Sequence, residues 1–107
     1  MEHDARNRAG AQRGEAHYRL GHALWQQNDL AGAEAAFREA ADQRGGEYAY
    51  AHYSLGQLYQ KAGRTEDAAK AFETFLQQAP GDGNRREVEQ TLRELRRQAA
   101  RGKGEKR

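Results

Sequence analysis

The side chains with chemistry to offer in this sequence are four histidines, five tyrosines and one tryptophan, and there is no cysteine. Without a thiol there is no disulfide framework, thiolate metal site or thiol nucleophile to consider. His17 and His52 stand thirty-five residues apart, with no His-x-x-x-His pair and no carboxylate triad beside them. They read as structural imidazoles, and neither a metal nor a cofactor is expected. The sequence contains no G-x-x-x-x-G-K-[ST], no G-x-S-x-G and no convergent carboxylate pair, so no catalytic activity is expected.

The aromatic residues have a more suggestive spacing. Tyr18, His22 and Trp25 fall at i, i+4 and i+7, which on a helix gathers them within about 60° of arc. Tyr50, Tyr53, Gln57 and Gln60 repeat the pattern further along, with Lys61 beside them and Gln26 next to Trp25. Tyr and Trp offer a large contact area at small entropic cost, and amide and ammonium donors fix orientation. Such a face suits an extended peptide or a helix of another protein. The competing reading is that one or two of these rings tuck against a neighbouring helix as additional core.

What must position these side chains is set by an internal duplication. Ala16-His17-Tyr18-Arg19-Leu20-Gly21 falls on Ala51-His52-Tyr53-Ser54-Leu55-Gly56 with five identities in six. The register continues through Leu24 on Tyr59, Ala33 on Ala68, Ala36 on Ala71 and Phe37 on Phe72. Within each copy the spacing is helical: Leu20 and Leu24 stand four apart, as do Leu55 and Tyr59, and Ala33, Phe37 and Ala40 follow at i, i+4 and i+7. His17, Leu20 and Leu24 are read as the core stripe of the first helix, about 120° from the aromatic arc. Asn28-Asp29 and Gly63-Arg64 interrupt the pattern, so each copy predicts helix, tight turn, helix. Gly21 and Gly56 sit mid-helix at a cost of about 1 kcal/mol against alanine, which makes sense where a second helix packs on that spot. Ala33 and Ala68 are the small partners expected there.

These positions resemble the tetratricopeptide repeat (TPR), a unit of about 34 residues. The second copy matches at His52, Leu55, Gly56, Tyr59, Gly63, Ala68, Phe72 and Pro80, and the first at His17, Leu20, Gly21, Leu24, Ala33, Phe37 and Ala40. Both copies carry His where Trp is usual. Gly45 stands in place of the closing Pro, Phe75 replaces a small residue, and the linker Gly45-Gly46-Glu47-Tyr48 carries one extra residue. The resemblance implies an all-α fold, a right-handed stack of helical hairpins with about five helices. It also implies a concave groove lined by the first helix of each unit. The expected organisation is a flexible segment 1–13, repeats at 14–47 and 48–82, a capping helix 84–100 and a flexible basic tail 101–107. Asn84 with Glu87 at N3 would open the capping helix, whose apolar stripe is Val88, Leu92, Leu95 and Ala99.

Composition narrows the function further. A chain of 107 residues with 36% hydrophobic and 32% charged residues has a thin core. The polar stretch up to Arg13, the first large aliphatic at Leu20 and the absence of a long apolar run predict a cytoplasmic protein without membrane contact. Residues 85–107 carry nine Lys/Arg against four Glu, a local charge of +5, while residues 1–84 carry nine against twelve acidic residues. Nucleic-acid contact through this tail is disfavoured by its Glu residues and its lack of interleaved aromatics.

The expected function is therefore a protein-protein interaction module. It would bind a partner's peptide or helix in a groove of Tyr18, His22, Trp25, Gln26, Tyr50, Tyr53, Gln57, Gln60 and Lys61. The carboxylate clamp known in one branch of the resembling family would fall on Tyr18, His22 and Ser54 here, so that specificity is not expected. A self-associating homodimer is the alternative, because two repeats and a cap fall short of the three repeats that usually make a stable stack.

Overall fold

A computed structural model describes residues 2–42 and 48–105; Met1, the linker residues 43–47 and the last two residues of the tail lie outside the described residues. The described residues form five helices and no strand: α1 (Glu2–Gln26), α2 (Leu30–Asp42), α3 (Tyr48–Lys61), α4 (Thr65–Gln78) and α5 (Arg85–Glu105). The expectation of an all-α chain of about five helices holds. The helices run on at both ends, through residues 2–13 and 101–105. Residues 2–13 lack proline and are built largely from Ala, Arg, Gln and Glu, which lose little entropy in a helix, whereas 101–105 holds Gly102 and Gly104 and continues α5 without such support.

The chain divides into two compact units, Met1–Leu55 and Gly56–Arg107, with the boundary inside α3. In the first, α1 packs along α2, whose Ala33, Ala36, Phe37, Ala40 and Ala41 are all buried. Alanine at four of these five positions lets the helix backbones approach closely. Ala40 and Ala41 also receive Ala51 of α3, and Tyr18 packs against the edge of that cluster. In the second unit, Leu58, Tyr59, Ala68, Ala71, Phe72 and Phe75 are joined by Val88, Leu92 and Leu95 of α5. The last three stand on the predicted stripe, and burying each contributes about 1.5–3 kcal/mol.

The turn between the helices of each hairpin is built the same way twice. Asn28 takes a left-handed φ of 65° and Gly63 one of 77°. The Asn28 N–H donates to the Trp25 carbonyl and the Asp29 N–H to the Leu24 carbonyl, at 2.8 and 2.9 Å. Gly63 to Gln60 and Arg64 to Tyr59 repeat the pair at 3.1 and 2.8 Å. This is the Schellman arrangement, which satisfies carbonyls at the end of one helix while turning the chain into the next. The next helix is then opened differently. Asp29 accepts the Gly32 N–H on its carboxylate at 3.0 Å, whereas Arg64 offers no side-chain cap and instead pairs with Asp67 at 2.8 Å and lies over the Tyr59 ring.

The atoms nearest the two mid-helix glycines are ring carbons, of Phe37 and of Phe72. An alanine methyl at Gly21 would come within 2.6 Å of the Phe37 ring, and one at Gly56 within 2.7 Å of the Phe72 ring. The core face of α1 differs from expectation. Leu20 is 49% exposed, while its counterpart Leu55 is only 4% exposed. The Phe37 ring sits over Gly21, and Gly21 lies between the His17/Leu20/Leu24 stripe and the Tyr18/His22/Trp25 arc. Centring the contact on the glycine rotates the buried face toward the aromatics and leaves Leu20 in water.

Candidate functional site

The first unit gathers three of the predicted groove residues around one ring. Tyr18, His22 and Trp25 project from α1 toward Phe37 of α2, with ring centroids 5.8, 5.0 and 6.2 Å from it. His22 and Trp25 meet Phe37 nearly edge to face, at 78° and 76°, the geometry that aromatic quadrupoles favour. Tyr18 and His22 also meet edge on at 4.6 Å. All three remain half-buried, so each keeps surface toward solvent while one side packs on the core.

Residues of α3 join the same cluster. Ser54, 1% exposed, places its hydroxyl 3.5 Å from the Tyr18 hydroxyl and 3.4 Å from His22 Nε2. The three positions where the clamp of the resembling family would fall thus converge, but as two hydroxyls and an imidazole. Burial pushes the His22 imidazole below its usual 6.5 and so favours the neutral ring, which can accept from the Ser54 hydroxyl through Nε2. Tyr53 is half-buried, Tyr50 is 39% exposed and Gln26 is exposed at the end of α1. His52 is likewise held below 6.5 by burial, with the nearby Asp42 charge acting in the opposite sense.

In the second unit, the remaining predicted residues Gln57, Gln60 and Lys61 are all exposed on the last turns of α3. Gln60 shares a polar depression of about 290 Å³ with Gln90, Thr91, Glu94 and Arg97 of α5. Sequence reasoning misses these α5 residues because it gives that helix only a capping role. Their signal is a polar arc at 90, 94 and 97, on the face of α5 away from the Val88/Leu92/Leu95 stripe, with Thr91 between the two. A separate groove of about 470 Å³ lies between α4 and α5, floored by Ala69, Ala99 and Ala100 and edged by Glu66, Lys70 and Arg96.

Among the described residues no three His, Asp or Glu side chains converge in a way that could hold a metal ion. No described helix is long and apolar enough to cross a membrane.

Residues 5–48, and again residues 18–83, match the sequence model of the tetratricopeptide repeat. The chain is also 34% identical over 68 residues to the RNA polymerase-associated protein CTR9 of Caenorhabditis elegans. That alignment covers 64% of this chain and 6% of the relative, so the chain spans a small part of that protein's length.

Proposed function

Because this chain belongs to the tetratricopeptide-repeat family, whose repeats generally mediate protein-protein interaction, we propose that it grips a peptide or helix of a partner protein on the aromatic face of its first unit. Tyr18, His22, Trp25, Tyr50 and Tyr53 supply the contact area, and Gln26 supplies a polar donor beside them. Gln57, Gln60 and Lys61, exposed on the second unit, are proposed as separate polar contacts. The observation that carries this reading is the exposure of rings that a core would hide: Tyr50 is 39% exposed, and Tyr18, His22, Trp25 and Tyr53 are only half-buried. Aromatic side chains that are rigid on one side and wet on the other lose little entropy on binding. The relative's association with RNA polymerase concerns a much longer protein, and the partner of this chain is proposed only as a polypeptide.

The chain has one tryptophan, and it stands inside the proposed groove. Peptides selected from a display library against the full chain should therefore shift or quench Trp25 emission on binding, with Kd in the micromolar range, roughly −8 kcal/mol. Tyr50→Ala and Tyr53→Ala should weaken every selected peptide. Retention of full affinity in both variants would remove the groove as the binding site.

One observation favours a second reading, self-association. Leu20 stands 49% exposed on α1, flanked by exposed Ala16 and Ala23, where the same positions of the duplicate include the buried Ala51 and Leu58. A symmetric pairing of two chains through this face would bury it. Sedimentation equilibrium of the wild type and Leu20→Glu at tens of micromolar tests it: a dimer lost in the variant supports pairing, and a monomer in both excludes it.

A further inference from the structure

The arginines of α5 sort into two sets. Arg85 is paired with Glu89 at 2.7 Å, Arg96 reaches across to Glu73 of α4 at 3.3 Å, and Arg97 lies 3.5 Å from Glu94. Arg86, Arg93 and Arg101 are exposed, and no ion pair joins them to any described residue. At about 100° per residue these three fall within roughly 80° of one another, with Arg97 among them, directly opposite the buried Val88/Leu92/Leu95 stripe. Successive members of the unpaired set stand about 10–12 Å apart along the axis at 1.5 Å per residue.

Residues 85–101 hold six arginines and no lysine. Solvating a terminal helix is served equally by either cation. What distinguishes arginine is the planar fork that takes a carboxylate or phosphate through two parallel hydrogen bonds. We propose that the outward arginine row of α5, Arg86, Arg93 and Arg101, is a docking strip for an acidic segment of a partner protein. A repeat of about 10 Å matches carboxylates two turns apart on a helix, or three residues apart on an extended chain. The flanks of the row decide between protein and nucleic acid. Glu87 and Glu94 form an acidic row to one side of it, and α5 carries no aromatic residue on which a base could stack. A phosphate backbone, with charge on a broad front, meets those carboxylates, whereas a single file of Asp or Glu side chains does not. The strip is independent of the aromatic groove, and either surface can fail without the other.

The test is a fluorescence-anisotropy titration of the full chain with a labelled oligoglutamate peptide of roughly 20 residues, and in parallel with a DNA duplex of similar length, at about 50 mM salt. The peptide should bind, and the triple variant Arg86→Gln/Arg93→Gln/Arg101→Gln should raise its Kd by about tenfold or more. Arg85→Gln/Arg96→Gln, which removes two arginines already engaged within the fold, should change it by less than about threefold. All five side chains are exposed, and circular dichroism of each variant establishes that helicity is intact. Absence of peptide binding, equal loss in both variants, or tighter binding of the duplex than of the peptide would each overturn the proposal.

Discussion

The ring of Phe37 lies so close to Gly21 that a single methyl on the glycine would come within 2.6 Å of it. Phe72 stands in the same relation to Gly56 at 2.7 Å, thirty-five residues later. The pair is the joint of each helical hairpin, and in the first unit it also decides which rings of α1 are left half in water.

Gly21→Ala and Gly56→Ala should each destabilise the protein by about 1–2 kcal/mol. The overpacking cost of about 1–3 kcal/mol exceeds the gain of up to about 1 kcal/mol in helix propensity. Urea denaturation measures the difference, and Phe37→Leu introduced with Gly21→Ala should return part of the loss. A stabilised Gly21→Ala would show that the ring moves aside freely.

Leu20→Ala should cost less than about 0.5 kcal/mol, whereas Leu55→Ala at the equivalent position should cost about 2–4 kcal/mol. The two residues differ only in surroundings, 49% against 4% exposed. Equal losses in thermal melts of the monomeric protein would contradict the assignment of the α1 core face to Gly21 and the aromatics.

The hairpin turns give a third comparison. Asp29→Ala removes the carboxylate that accepts the Gly32 N–H and should cost about 1 kcal/mol. Asn28→Gly relieves a left-handed φ of 65° and should stabilise by a few tenths of a kcal/mol. Gly63→Ala, at φ 77° with open space around it, should cost about 1 kcal/mol from backbone strain alone. Urea midpoints of the three variants check the order, and a Gly63→Ala variant as stable as the wild type would contradict the left-handed turn.

Stability should also fall in mild acid. His22 and His52 both have folded-state pKa values below the 6.5 of the free side chain. Below pH 6.5 the unfolded chain therefore binds more protons than the folded one, so stability is full above that pH and is lost as pH falls through the two folded values. Urea midpoints should decline as pH falls below 6.5, and His22→Gln with His52→Asn should flatten the slope. An unchanged slope in the double variant would assign the acid loss to carboxylates.

Much of this fold is legible in the residues because the duplication states each position twice. Helix ends are readable from Asn28-Asp29 and Gly63-Arg64, since only a few residue types accept a left-handed turn. The α5 stripe is readable from Val88, Leu92 and Leu95. The rotation of the α1 face is not, because periodicity gives a helix its stripes but not which stripe meets a neighbour. Gly21 holds that information, through its close approach to the Phe37 ring. The polar arc of Gln90, Thr91, Glu94 and Arg97 escapes notice because polar positions off an apolar stripe acquire meaning only when Gln60 lies opposite. Helix in residues 2–13 escapes it too, because a polar stretch without periodic apolar residues carries no sign of packing.

Trp25 emission during titration with display-selected peptides, compared among wild type, Tyr50→Ala and Tyr53→Ala, reports on the polypeptide-gripping groove itself. A saturable spectral change is expected in the wild type at micromolar peptide, with a several-fold weaker Kd in both variants and helicity unchanged. Peptides that bind with no change in Trp25 emission, and with equal affinity for both variants, would show that the groove is not where the partner sits.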